Sequence, residues 1–253
     1  VSLVLAIIIS YLVKCGRTSD IPAVWRGSAI AAIVCVVTGL AFNIFVGDFE
    51  GKSEQFIEGT IAIVAASVLT WMIFWMGKNA RNLGASLRGQ VDAATSTRAL
   101  MVIAFVAVLR EGFETVLFLL SAETSSASGT SVVIGGLLGL VVAAILGRLV
   151  YAGGNKLNLA LFFRVTGFLL LLFAAGLFGK FFHEYRELLG FEDGWLVSSA
   201  WNIKSGIWAE GTFYDFMKGF FGWHYAYENI RLIAYFAYLL PVGWLFLQTS
   251  KKS

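Results

Sequence analysis

Three ionisable residues within five positions, Arg110, Glu111 and Glu114 in the run Arg110-Glu111-Gly112-Phe113-Glu114, interrupt an apolar stretch from Ala99 to Leu120 that is long enough to cross a bilayer. Each such charge costs about 2.5 to 3.5 kcal/mol at the centre of an inserted helix, so the default role is an ion or proton site turned toward the protein interior. At about 100° per residue, Glu114 lies ~40° round the helix from Arg110 and Glu111 ~100° round, so all three share one face while Gly112 and Phe113 point elsewhere. Two carboxylates at i and i+3 can converge on one hard cation, and the arginine can neutralise them while the cation is absent. Gly112, on the far side, lets a neighbouring helix approach closely or lets this one bend. The competing role is an Arg-Glu pair that only fixes packing, but packing needs no second glutamate.

Two further places carry chemistry. Glu58, one residue before Gly59 in the first turn of another apolar run, reads either as a carboxylate favoured by a helix N-terminus or as an acidic relay at a pore mouth. His183-Glu184 invites a zinc-protease reading, which fails because HExxH needs a second histidine one turn on and Glu187 follows instead. His183 and Glu184 remain either metal-accepting groups at the pore mouth or an ordinary polar helix end. Cys15 and Cys35 belong to no CxxC or Cys/His cluster, so no thiolate metal site is expected.

The elements that must position these groups follow from composition. The chain has 253 residues, 58% hydrophobic and 14% charged, with mean hydropathy +0.78, where a soluble domain carries about 25% charged residues. The expectation is an all-α polytopic membrane protein, a single transmembrane permease domain over 1–253 with the lipid bilayer as its surroundings. Its net charge of +3 speaks to loop asymmetry, not to nucleic acid. Seven spans are expected: Val1 to Val13, Ser28 to about Val46, Phe56 to Gly77, Ala99 to Leu120, Ser131 to Tyr151, Leu157 to Phe182 and Ile230 to Leu247. The first covers roughly 20 Å of a core about 30 Å thick, so it reads as truncated at its N-terminus.

Between the spans, a polar turn carries Lys14, Arg17, Pro22 and Arg26, an acidic loop runs from Asp48 to Glu54, and a basic loop runs from Lys78 to Arg98. Gly153 to Lys156 form a tight turn, and Gly135 and Gly139 have the small-xxx-small spacing of close helix packing. The aromatic-rich segment 188–229 reads as an extracytoplasmic loop, either of short interfacial helices or forming a lid or partner-docking surface. Loops after spans one, three and five and the C-terminal tail are basic, which places the C-terminus in the cytoplasm and the N-terminus outside. The first and fourth spans then cross in opposite senses, the layout of two inverted three-helix repeats plus one helix.

Taken together, Arg110-Glu111-Gly112-Phe113-Glu114, Glu58-Gly59, Thr70-Trp71-Met72-Ile73-Phe74-Trp75-Met76 and His183-Glu184 resemble the oxidase-dependent iron permease family, fungal and bacterial. The likeness covers nearly the whole chain except the segment from Leu188 to Asn229, and Phe113 stands where leucine is usual. It implies a transporter rather than an enzyme, in the plasma membrane (for a bacterium, the inner membrane). It also implies seven helices and two REGxE motifs whose glutamates carry iron, the transported substrate, with no permanently bound cofactor. Glu111 and Glu114 match the second motif with Arg110 and Gly112, Glu58 matches an acidic position opening the third helix, and the first motif would immediately precede Val1. A ferroxidase or iron-delivery protein outside the membrane would supply ferric ion, whose hardness suits carboxylate oxygen.

Other readings share part of this pattern. An importer of lead or manganese keeps the fold and changes the cargo, although no Cys or Met ligand accompanies the motif. An intramembrane di-iron carboxylate enzyme would want Glu-x-x-His pairs, and Glu111 is followed three residues on by Glu114. A purely structural subunit leaves the buried charges without a purpose.

Overall fold

The computed structural model describes residues 2–47, 51–79, 83–94, 96–123, 135–145, 148 and 159–252. The helices are α1 (Ser2–Lys14), α2 (Ile21–Gly47), α3 (Lys52–Asn79), α4 (Leu83–Ala93) and α5 (Thr97–Glu123), then α6 (Gly135–Ile145). They continue with α7 (Leu159–Leu188), α8 (Thr212–Phe221) and α9 (Asn229–Lys252), and two short strands, β1 (Ser199–Asn202) and β2 (Ala226–Glu228), flank α8. Among the described residues, four helical stretches are long and apolar enough to cross a membrane: Thr18–Phe42, Lys52–Trp75, Arg164–Leu188 and Asn229–Thr249. α5 has the length at 27 residues but holds the three charges of the Arg110–Glu114 run, and α1 and α6 are shorter.

The chain divides into two compact units, each described by itself: Val1–Phe42, Asn79–Leu117 and Val133–Ala160 in one, Asn43–Lys78, Phe118–Val132 and Leu161–Ser253 in the other. In the first unit, Leu5, Ile8 and Leu12 on one face of α1 pack with Val24 and Ala31 of α2, Val91 of α4 and Leu100, Ala104 and Val108 of α5. α2 carries small residues every fourth position, Gly27, Ala31, Cys35 and Gly39, and this stripe lies along α5. A Cβ on Gly27 would come 2.2 Å from the Met101 carbonyl oxygen, one on Gly112 would come 2.5 Å from Cys35 Sγ, and one on Gly39 would touch Val116 at 3.5 Å. Contacts that advance together along both helices make α2 and α5 parallel, and the missing side chains are what let them approach.

In the second unit, α7 runs antiparallel to α3 and α9. Gly59 meets Tyr185 and Glu184 at one end, while Ile73, Leu171 and Phe246 close the other. The buried Tyr238 hydroxyl pairs with that of Thr70, which itself donates to the Ala66 carbonyl. α8 ends at Gly222, whose φ of +66° is a left-handed conformation suited to glycine, and the Trp223 N–H donates back to the Met217 carbonyl. That glycine then docks backbone to backbone on Gly176 of α7, where a Cβ would meet Gly222 N at 2.9 Å. β1 and β2 pair antiparallel, Trp201 opposite Tyr227, with a bulge between Ser199 and Trp201. Trp201 stacks between Trp223 and Tyr227, each with ring centroids 5.0 Å away.

Several elements depart from expectation. The stretch with Pro22 and Arg26 is helix rather than turn, because proline in a first turn sacrifices no intrahelical hydrogen bond. The basic loop contains α4, whose Leu87 and Val91 are buried. Arg17 donates to the Val91 and Ala94 carbonyls at its end, at 3.3 and 3.4 Å. The aromatic segment adds two strands to a chain expected to be all helix. Gly135 and Gly139 meet nothing within 4 Å among the described residues. The acidic stretch Asp48 to Glu50 and the turn Gly153 to Lys156 lie outside the described residues.

Candidate functional site

On α5 the motif sits near the helix midpoint. Glu114 is buried, with 8% of its surface exposed, and Arg110 Nε lies 3.6 Å from its Oε1. Glu111 and Arg110 are half-buried, and Phe113 is exposed on a stripe with Val102 and Val106. Thr115 Oγ1 donates to the Glu111 carbonyl at 2.9 Å, an i to i−4 bond that loosens or bends a helix slightly. Gly112 fits against Cys35, whose Sγ lies 3.8 Å from the Leu109 carbonyl oxygen to which it donates. The thiol is therefore turned onto the backbone at the packing seam.

The second unit holds a separate charged cluster. Lys180, 9% exposed, places Nζ 3.0 Å from Glu58 Oε2. Glu184, also buried, lies one turn further along α7. Gly59 is what allows this meeting: its missing Cβ leaves room for the Tyr185 ring, which a Cβ would approach to 2.7 Å. Breaking a buried ion pair by removing one partner costs about 3–5 kcal/mol, so the Glu58–Lys180 pair ties α3 to α7.

His183 lies between two carboxylates, with Nδ1 2.8 Å from Glu228 Oε2 and Nε2 3.4 Å from Glu187 Oε1. Arg186 Nη2 joins the same pair, 2.9 Å from Glu187 and 3.0 Å from Glu228. Burial would raise the Glu228 carboxyl, but the hydrogen bond and charge of His183 and the charge of Arg186 more than reverse this and hold it below its ordinary value. Close by, burial first and then the charges of Arg231 and Lys218 push His224 down to about 4, so its ring is neutral at pH 7. Its Nδ1 accepts from the Ala226 N–H at 3.2 Å.

Among the described residues no three His, Cys, Asp or Glu side chains gather in a way that could hold a metal ion. Glu111 and Glu114 belong to the first unit, and Glu58, His183 and Glu184 to the second. Sequence reasoning paired neither Glu58 with Lys180 nor His183 with Glu228. The signal lay in single charges near the ends of apolar runs, Lys180 and Arg231, which are costly unless something inside the protein answers them.

A helical chain with long apolar helices and ionisable groups buried inside them is a membrane protein in its architecture. The chain belongs to the Iron permease FTR1 family, whose model matches residues 1–248. It is similar to the ferrous iron permease EfeU of Yersinia pestis, 36% identical over 260 residues, covering 100% of this chain and 90% of that one. The EfeU of Yersinia pseudotuberculosis is likewise 36% identical, with 100% and 89% covered. That of Escherichia coli O6:H1 is 35% identical over 248 residues, with 95% and 88% covered. No solved structure matches the chain. It is a permease, a transporter and not an enzyme.

Proposed function

We propose that this chain carries iron ions across the membrane on the carboxylates of Glu111 and Glu114, with Arg110 as their counter-charge when no ion is bound. The observation that carries the reading is the Arg110–Glu114 run at the middle of α5, with Glu114 buried, in a chain of the iron permease family. Two carboxylates offer fewer oxygens than the roughly six a hard cation takes, so the ion keeps part of its water shell or gains ligands elsewhere. Glu58 is an acidic relay that exchanges Lys180 for the ion, and His183 and Glu184 stand near it on α7. The ion is ferric, delivered by a ferroxidase or iron-delivery protein outside the membrane, since hard oxygen donors without thiolate suit it. The relatives' designation as ferrous iron permeases favours a second reading, in which the ion travels as Fe(II).

The whole chain is one permease domain of seven spans in the plasma membrane, with the N-terminus outside, the C-terminus in the cytoplasm and segment 188–229 outside. Seven spans make the second and fourth parallel, the third and seventh parallel, and the sixth opposed to both. The packing of α2 on α5 and of α3 and α9 on α7 agrees with each. Two inverted three-helix repeats would pair the first helix with the fourth, the second with the fifth and the third with the sixth. The division into units keeps each such pair together, which supports the repeat.

The test is uptake of radioactive iron by cells expressing the full-length gene, with Glu111→Gln and Glu114→Gln beside wild type and surface levels matched. Uptake falls at least about tenfold in each variant if the carboxylates bind the ion only when charged. Transport equal to wild type would make them structural. Running the assay with a reductant and with an oxidant present separates Fe(II) from Fe(III) as the species taken up.

A further inference from the structure

A cavity of about 210 Å³ opens inside the second unit between α7, the C-terminal end of α8 and the start of α9. Its volume is several times the ~30 Å³ share of one water in the liquid. Three cationic side chains line it, Lys180, Lys218 and Arg231, against one carboxylate, Glu184. Lys180 is already answered by Glu58. Among the described residues no carboxylate stands within 4 Å of Lys218 or Arg231; Glu228 and Glu187 make their close pairs with His183 and Arg186, and with Glu184 they act on Arg231 only from further off. Arg231 Nε is buried without a hydrogen-bond partner. His224, also in the wall, is neutral at pH 7 and adds a polar ring without charge.

Away from the Glu58–Lys180 pair, the lining between Lys218 and Arg231 is the wrong sign for a metal cation. A cavity with surplus positive charge and an unanswered guanidinium nitrogen asks for an anion. Cations also crowd one another here: burial first, then Lys180 and Arg231, push the Lys218 ammonium below its ordinary value. The position says which anion. α8 is amphipathic: Phe213, Phe216 and Phe220 make one exposed stripe, while Tyr214 is buried and Lys218 faces the cavity. An aromatic face of this kind lies in the headgroup region of a bilayer, where phosphate groups are abundant.

The geometry points to a phosphate-group site between α7, α8 and α9, in which Lys218 and Arg231 bind the oxygens of a lipid headgroup phosphate or of free phosphate. Arginine supplies a planar fork to two oxygens and lysine a point charge to a third. The close backbone contact of Gly176 with Gly222 holds the end of α8, and so Lys218, over α7. Filling the site joins the membrane-surface helix to the two spans beneath it.

The experiment uses the full-length protein, purified and delipidated in neutral detergent. One arm titrates inorganic phosphate against sodium chloride at matched ionic strength and follows the melting temperature. The other uses native mass spectrometry to compare retention of phosphatidylglycerol with that of phosphatidylcholine. Lys218→Gln and Arg231→Gln each weaken binding by about tenfold, while Lys204→Gln, an exposed lysine of the same segment, leaves it unchanged. Stabilisation by phosphate identifies a free-phosphate site, and selective retention of phosphatidylglycerol alone identifies a lipid site; either supports the inference. If neither ligand binds, or if Lys218→Gln binds both as wild type does, the inference is overturned. Stabilisation by Mn²⁺ that is lost in Glu184→Gln but kept in Glu58→Gln would overturn it too, by making the cavity itself, apart from the Glu58 relay, a cation site. Should Arg231→Gln fail to fold, Lys218→Gln decides, since Lys218 is half-buried on a surface helix.

Discussion

Gly112 shows how much of α5 depends on an atom that is absent. Alanine there would drive its Cβ to 2.5 Å from Cys35 Sγ and 3.3 Å from Cys35 Cβ. Overpacking of this kind costs about 1–3 kcal/mol, partly offset by about 1 kcal/mol because alanine favours the helix over glycine. Gly112→Ala should therefore lower the melting temperature in detergent. Cys35→Ala removes the sulfur and leaves only the milder Cβ contact, so the double variant should regain much of the loss. A double-mutant cycle measures that coupling, which contacting residues usually show and distant ones do not. Additive losses would mean that α2 and α5 do not meet here. The close approach was legible in the sequence, because glycine beside three membrane charges had a packing use. Its partner was not legible, since a cysteine in an apolar run has many possible neighbours.

At the scale of elements, the long helices announced themselves by hydropathy, and the small elements between them did not. α4 is an 11-residue amphipathic helix inside a basic stretch, and only its burial of Leu87 and Val91 reveals why it forms. β1 and β2 have 4 and 3 residues, too few for an alternating pattern to emerge; Trp201 and its stacking partners hold them. This aromatic cap should respond to acid through His224. Burial and the neighbouring charges of Arg231 and Lys218 lower its pKa to about 4 from an ordinary 6.5. An unfolded cap takes up that proton first, so the stability contributed by the neutral ring is complete above pH 6.5 and is lost as pH falls toward 4. Amide exchange at Ala226 and along β1 and β2, corrected for intrinsic rates, should accelerate over that window. His224→Gln, which keeps an acceptor for the Ala226 N–H but cannot titrate, should flatten the dependence. An unchanged pH profile in that variant would assign the acid sensitivity to another group.

For the whole molecule, membrane character followed from composition, because so apolar a chain can bury only part of its surface against itself. Which helices share a unit was not written in any one segment: α2 and α5 are far apart in sequence, and their meeting depends on stripes of small residues that hydropathy averages away. Orientation rests on loop charge, and Cys15 offers a direct check of it. It is exposed after α1, whereas Cys35 is buried against Gly112, so a thiol reagent in water meets Cys15 first. With the N-terminus outside, one crossing puts Cys15 in the cytoplasm. A membrane-impermeant maleimide should therefore leave it unmodified in intact cells and label it in inside-out vesicles, with Cys15→Ser giving no signal in either. Labelling in intact cells would reverse the orientation and place the aromatic segment, and the cationic cavity beneath it, on the cytoplasmic side. Under the proposed relay, the ion would then meet Lys180 and Glu58 on its way out of the permease rather than on its way in.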